Sequence, residues 1–435
     1  VNRSILAPYL HALEAGSTLR WKGRINQVIG NLIESEGPSG FVGESCEIIG
    51  EGGKTYPGEI VGFRGSTMLS MAADRPQGIR FGDQIVTWGA RPSIRVGPGL
   101  LGRVIDPAGN PLDGKGDYRA TRAVTIDGSA PLPLERVPIR EPLGCGIRAI
   151  DAFLTCGRGQ RVGIFGGSGA GKSTLIGMMA RGTAAEMTIL ALVGERGREV
   201  GEFLEVLGEE GLRRSVVVAS TSDQSPLLRI RAALAATALA EYFASQGKHV
   251  LLIADSLTRF AMAQREIGLA AGEPPTAKGY TPSVLNMLAR LVERAGNFSQ
   301  GSITAFYTVL MEGDDQQDPV VDTVRSLLDG HVILDRNLVM RSHYPPISIL
   351  ESLSRLMSSM VSKEHLAKAN ALRLMMSAYQ ESEDLIRIGA YQKSTDPVLD
   401  SAVQNLPALN AFLQQSPDIL GNFPETIERF MALPS

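Results

Sequence analysis

The sequence predicts an α/β chain in three parts: a small N-terminal β-barrel, a central parallel-sheet domain, and a C-terminal helical domain. Three observations carry that expectation. Short β-rich runs broken by Gly and Pro fill the first ninety residues. Near-continuous apolar strands alternating with helical segments follow from about residue 145, the pattern of a sheet covered on both faces. After about residue 347 strand signals stop and only helical periodicity is left. The 435 residues exceed one compact core, and the expected divisions are 1–90, 91–346 and 347–435.

The elements are justified in chain order. Runs at 21–33, 46–49, 59–63 and 84–88 are separated by turn clusters at 37–40 and 51–53, which suits a small antiparallel barrel. Residues 91–142 are rich in Gly and Pro and read as an irregular connection. Strand-length apolar runs recur at 161–165, 188–193, 215–219, 249–254, 302–310 and 331–334, with helical segments at 172–181, 200–207, 227–243 and 283–295. Thr281 followed by Pro282 marks a helix start, as does Asp318 before Pro319. The cap reading of Asp318 is preferred to calcium binding by Asp314, Asp315, Asp318 and Asp322, which lack the EF-hand glycine and terminal Glu. Leu366, Ala369, Leu372, Met376 and Tyr379 share one helical face, and Met357, Met360, Met375 and Met376 read as core.

Composition excludes several classes. Hydrophobic residues at 43% and charged residues at 20% rule out a disordered or fibrous chain. Forty-three basic against 46 acidic residues leave a net charge of −3, which argues against bulk nucleic acid or anionic membrane as the main partner. Cys46, Cys145 and Cys156 form no CxxC pair and the five histidines form no HExxH, so neither a disulfide scaffold nor a structural zinc site is expected. With no signal peptide and no long apolar run, a cytosolic location is expected; opening on Val rather than Met suggests missing N-terminal residues. Glycine is the outlier, 48 of 435 or about 11% against a usual share of about 7%.

Part of that glycine has an address. Gly166, Gly167, Ser168, Gly169, Ala170, Gly171, Lys172, Ser173 and Thr174 fit GxxxxGK[ST], after a strand and opening a helix. Glycines let backbone N–H groups wrap phosphates, and the helix N-terminus adds partial positive charge. Lys172 is expected to reach the β- and γ-phosphates and Ser173 to ligate Mg²⁺. The apolar run 249–254 ends in Asp255, placed to hold the metal or its water, or more plainly to cap the next helix. The run 188–193 leads into Gly194 and Glu195, a carboxylate able to deprotonate an attacking water, or one member of an ion-pair cluster that opens a helix.

In this order the motifs resemble the rotary-ATPase-like hexameric family, which includes the catalytic subunits of F- and V-type ATPases and the ATPases of bacterial type III protein export. The stretches GEPP at 272–275, GYTPS at 279–283, LVERAG at 291–296, SITAFYTVL at 302–310 and DGHVILDR at 329–336 agree with it. LVGERGREV at 192–200, DSLTR at 255–259 and DGH at 329–331 look more like the export ATPases; IGAYQKSTDP at 388–397 and FLQQ at 412–415 look most like the flagellar members. The resemblance implies a RecA-like central domain, ATP as substrate with Mg²⁺, and a homohexamer. It assigns Lys172 and Ser173 to the phosphates and metal, Thr174 to the α-phosphate, Glu195 as catalytic glutamate and Arg196 near the γ-phosphate. Asp255 matches the Walker B aspartate, Tyr344 the adenine-stacking aromatic, and Arg355 an arginine finger entering the adjacent subunit. The implied partners are stator and central-stalk proteins, met in part by the loop 272–280, together with export chaperones and substrates. The implied place is cytoplasmic, peripheral at the inner-membrane export gate. Injectisome ATPases, an ATP synthase catalytic subunit and a Rho-like RNA translocase are the alternatives, the last disfavoured by the acidic balance.

Overall fold

Period-two alternation closes the N-terminal part into a barrel. The computed structural model describes residues 19–74, 76–167, 169–311, 318–393 and 396–434, so the first eighteen residues of the expected barrel unit, with Ser168, Asp314 and Asp315, lie outside the described residues. Strands β1 (Trp21–Ile29), β2 (Leu32–Glu36), β3 (Ser45–Ile49), β4 (Thr55–Arg64), β5 (Thr67–Ala72) and β6 (Gln84–Thr87) close in the order β1-β2-β5-β4-β3-β6. Ile25, Ile33, Ile48, Ile60 and Ile85 fill the interior. The run 21–33 is two strands rather than one, because Gly30 at φ 60° turns the chain back. Strand β5 carries Met, Leu, Ser and Ala, residues with little β-propensity, and its place is set by pairing with β2 and β4.

Residues 91–142 are more than an irregular connection. Strand β7 (Ser93–Val96) pairs with β9 (Arg122–Thr125), and between them β8 (Arg103–Ile105) joins the edge of the central sheet, parallel to a later strand at 215–221. Arg103 fixes that edge: its guanidinium donates to both oxygens of Asp113 at 2.7 and 2.9 Å and holds the Asp113 carboxyl well below the usual carboxylate range. Such an edge is invisible in sequence because Asp113 is ten residues from its partner in an irregular loop.

Two short strands, β10 (Pro142–Leu143) and β11 (Cys156–Gly157), bracket helix α1 (Arg148–Phe153). The central sheet follows, with β12 (Arg161–Gly166), β13 (Met187–Glu195), β14 (Ser215–Thr221), β15 (His249–Asp255), β16 (Gly296–Asn297), β17 (Ser302–Leu310), β18 (Gly330–Leu334) and β19 (Ile347–Ser354). Its order is β19-β18-β12-β17-β15-β13-β14-β8, parallel except for β19, with β16 paired to β17. One face is covered by α4 (Pro226–Ala244), α5 (Leu257–Ala271), α6 (Pro282–Val292) and α7 (Pro319–Leu327). The other is covered by α1, α2 (Lys172–Gly182), α3 (Gly197–Arg213) and the C-terminal helices. Asp318 caps α7 through Oδ1, which accepts from Val320 and Val321 N–H; Thr281 precedes α6, but its hydroxyl pairs with Ser283 Oγ instead of the helix backbone.

Strands do not stop at residue 347. That residue opens β19, an antiparallel edge strand whose Ile347 and Ile349 and, past a register shift, Ser352 face the core. A short α8 (Arg336–Met340) precedes it, and the helical part begins later, with α9 (Lys363–Arg387), α10 (Pro397–Leu413) and α11 (Phe423–Met431). Ser362, Asp396 and Asn422 cap these three helices. They do not build a core of their own. Phe430 is fully buried and meets Phe153 edge-on at 5.0 Å, His365 at 5.3 Å and Phe412 at 5.8 Å, so the helices extend the second face of the sheet. Replacing Phe430 by Ala should therefore destabilise the chain by about 3–5 kcal/mol, read as a lowered denaturant midpoint; an unchanged midpoint would show that the C-terminal helices are not held by this cluster.

Candidate nucleotide site

Strand β12 lies between β17 and β18, hydrogen-bonded on both sides, and delivers Gly166 to the carboxyl edge of the sheet. The loop beyond it needs its glycines. Gly169 and Gly171 have φ of 76° and 78°, and a Cβ on Gly167 would stand 2.3 Å from the Arg336 guanidinium. Helix α2 then starts at Lys172 with its first N–H groups at the loop mouth. Leu175, Ile176 and Met179 bury one side of α2, leaving Ser173 exposed and Thr174 half-buried at the opening.

Two carboxylates come from neighbouring strands. Asp255 ends β15 and is nearly buried; Thr308 of β17 donates its hydroxyl to Asp255 Oδ1. The capping alternative for Asp255 is filled by another residue, since Ser256 Oγ accepts from Arg259 N–H at the start of α5. Glu195 ends β13 after a bulge: the register with β14 slips between Val193 and Glu195, and Gly194 has φ 67°. Burial, a hydrogen bond with Glu199 and the nearby Asp255 push the Glu195 carboxyl up to about 8, against the pull of Arg259, whose Nε lies 3.6 Å from Glu195 Oε1. Burial lowers the Lys172 ammonium, while Asp255 and Glu195 pull it back up. Lys172, Asp255 and Glu195 thus share one charged pocket.

Other expected residues are placed differently. Arg196 is largely exposed at the start of α3 and pairs with Glu199 at 3.3 Å. Tyr344 is half-exposed, and Pro346, two residues on, packs against the start of α2 at Gly171. Arg355 is exposed and remote from Lys172. Ser354 pairs with Gly330 and Gly330 with Val162, at the amino end of the parallel strands, whereas Gly166 is at their carboxyl end. Four residues of β12 separate these levels, about 13 Å at 3.3 Å per residue.

The structure adds residues that the motif reading left unassigned. Arg259 was within a recognised stretch, one helical turn after Asp255. Thr308 was also within one, the stretch 302–310, at a position given no role. Arg336 was within the stretch 329–336 but was given no role, and Arg229 had no signal. The stems of Arg229 and Arg259 would lie 3.2 and 3.3 Å from a Cβ on Gly194, flanking the Glu195 bulge. Gln415 was within the stretch 412–415 but was given no role: its N–H binds the Tyr344 carbonyl at 2.7 Å, while its side chain accepts from Arg148 N–H and donates to the carbonyls of Gly146 and Ile419. It lays the segment after α10, with exposed Ile419 and Leu420, beside the Tyr344 end of the site.

A glycine-lined loop at the carboxyl edge of a parallel sheet, with Lys172, Asp255 and Glu195 around its mouth, defines a P-loop ATPase, and residues 146–354 match the ATP synthase alpha/beta family, nucleotide-binding domain. Residues 361–432 match the T3SS EscN ATPase C-terminal domain. The chain is 49% identical to the flagellum-specific ATP synthase of Bacillus subtilis over 98% of both chains. It is 47% identical to the type 3 secretion system ATPase of Sinorhizobium fredii, over 93% of this chain and 90% of that one. Its structure matches the assembled ATPase EscN of the enteropathogenic E. coli type III secretion system with a TM-score of 0.90 at 42% identity, covering 95% of this chain and all of that one. The chain belongs to the type III export ATPases of the ATP synthase alpha/beta family.

Gly194→Ala should displace Glu195, since the residue needs positive φ and its Cβ would crowd both arginine stems. The expected result is hydrolysis lowered by 10-fold or more with nucleotide affinity kept; unchanged turnover would show that the bulge does not set the position of Glu195.

Proposed function

We propose that this protein hydrolyses Mg·ATP to drive protein export through a flagellar type III apparatus. The observation that carries the hydrolytic part is Glu195, held on a bulge beside Lys172 and Asp255 with its carboxyl raised to about 8. A base in that range takes a proton from water efficiently near neutral pH. Backbone N–H groups from Gly166 to Lys172 and the α2 terminus hold the phosphates, and Lys172 balances their charge. Tyr344, exposed and held through its carbonyl by Gln415 N–H, offers its ring to the base.

The donor set suits magnesium. The Ser173 hydroxyl and the Asp255 carboxylate are oxygen ligands, and among the described residues no group of three or more His, Cys, Asp or Glu forms a cage for a metal. A cation that keeps its waters and shares phosphate oxygens needs no more protein ligands than this. Bound there, it would neutralise charge on the phosphate oxygens. Arg259 and Arg196 stand by to stabilise the transferring phosphoryl group, and Glu195 accepts the proton of the attacking water.

Arg355 completes the site from another copy of the chain. Its position at the amino end of the strands keeps it from its own phosphate loop, so a homohexamer in which each Arg355 enters the neighbouring site fits the geometry. A related EscN has been solved in complex with its central stalk EscO. By analogy the loop 272–280 meets a stalk here, with stator proteins, export chaperones and their cargo as further partners. Among the described residues no helix is long and apolar enough to cross a membrane, which accords with a cytoplasmic enzyme docked at the inner-membrane export gate. The flagellar assignment rests on residues 388–397 and 412–415; disrupting the gene should abolish flagellar assembly, whereas loss of a needle-type apparatus with flagella intact would overturn it.

Two solution outcomes test the chemistry. The general base works deprotonated, so kcat/KM should fall as pH drops below about 8, and Glu195→Gln should abolish turnover while a fluorescent ATP analogue still binds. Lys172→Ala and Arg355→Ala should each be nearly inactive, the second by roughly 10³–10⁵. Mixing them should restore activity at roughly a quarter of sites by random pairing; no recovery on mixing would show that Arg355 does not act in trans.

A further inference from the structure

The two oxygen ligands assigned to the cation come from strands that are not neighbours. Ser173 follows β12 and Asp255 ends β15, and β17 lies between those strands. The end of β17 is bonded to both sides. Met311 N–H donates to the Gly166 carbonyl at 3.3 Å, and Leu310 N–H donates to Thr258 Oγ1 at 2.8 Å, in the first turn of α5. The register sets Tyr307 beside Ala254, which brings Thr308 level with Asp255. The spacing of the two ligands is therefore carried through β17 rather than by direct pairing.

Thr308 is the residue of that strand that reaches the carboxylate. It is fully buried, on the same face of β17 as Phe306, which belongs to the core of the second face. A hydroxyl in such a place costs free energy unless it is bonded, and Val would fill the same space without that cost. The Thr308 oxygen lies 3.4 Å from the Ala254 carbonyl and closer to Asp255 Oδ1. The charged oxygen is the stronger acceptor of its one proton. Oδ1 is thereby occupied. Asp255 Oδ2 accepts no hydrogen bond among the described residues and is the oxygen left to serve the cation or one of its waters.

We propose that Thr308 is a positioning residue for the metal half of the site: its hydroxyl holds the Asp255 carboxylate in one orientation, with Oδ1 taken and Oδ2 presented to the cation that accompanies the nucleotide. The inference rests on the Mg·ATP reading and deepens it. A carboxylate bonded at one oxygen loses the freedom to turn, and a partner of this kind orients a metal ligand without touching the metal. Magnesium demands near-ideal geometry, so it feels a loosened ligand more than a phosphate chain held by backbone N–H groups does. Binding thus divides in two. The loop from Gly166 to Lys172 grips the nucleotide with or without the metal, and Thr308 acts only on what the metal adds.

The test uses the full chain and a fluorescent ATP analogue, its affinity measured in saturating Mg²⁺ and again in EDTA; the ratio of the two is the contribution of the metal. Thr308→Val keeps the shape and removes the donor. Its ratio should fall by about 10-fold or more, the usual cost of losing a group that orients a metal ligand, while the affinity in EDTA stays that of wild type. Thr308→Ser keeps the hydroxyl and should keep the wild-type ratio. An unchanged ratio in Thr308→Val, or a ratio in Thr308→Ser as low as in Thr308→Val, would overturn the proposal. If Thr308→Val does not fold, Thr308→Ala removes the same hydroxyl and is read in the same way. Asp255→Asn separates this inference from the reading beneath it. If wild type shows no metal contribution, or Asp255→Asn leaves it intact, the Mg·ATP reading of the site has failed. If Asp255→Asn lowers the ratio and Thr308→Val does not, only the role of Thr308 is wrong.

Discussion

Strand β12 is the constraint on which the rest depends. Hydrogen-bonded to β17 on one side and β18 on the other, and buried on both faces, it has no freedom to slide. Its last residue opens the phosphate loop, and its first, Arg161, anchors the charged network under Arg355. One strand therefore sets two sites at opposite ends of the sheet. A sheet made of parallel strands puts loop after loop at the same edge, which is how Glu195 and Asp255 arrive beside Lys172 from strands far apart in sequence.

The pocket so formed crowds like charges together. Glu195, Glu199 and Asp255 crowd together, and Lys172 with Arg259 only partly offsets them. The outcome is a Glu195 carboxyl that holds its proton, the ordinary result when like charges share a poorly solvated space. The strain is local and useful, because the same crowding that disfavours the carboxylate makes it a better base.

The outlying parts are coupled to this centre by buried polar contacts. The barrel is joined through Arg231 to Glu59, at 2.8 Å, and through Ser225 Oγ to the Ala73 carbonyl. Burial raises the Glu59 carboxyl, against Arg231, which draws it down. The C-terminal helices are joined through Phe430 and through Gln415, whose four hydrogen bonds tie Tyr344, Arg148, Gly146 and Ile419 together.

The sequence by itself determined the class of protein, because the phosphate loop puts its chemistry in nine consecutive residues and the apolar strands announce a buried parallel sheet. It also marked Glu195 and Asp255, each directly beyond such a strand. It misread β8 and β19: β8 is only three residues long and β19 mixes buried with exposed positions, so neither shows the continuous apolar run that identifies central strands. The contacts of Arg229, Arg336 and Gln415 were silent for a stronger reason, since each residue acts on one far along the chain and no local pattern encodes that neighbour. Only the tertiary structure decided that Arg355 stands at the far end of the sheet from its own phosphate loop. Strand direction and register fix that distance, and they exist only once the chain has folded.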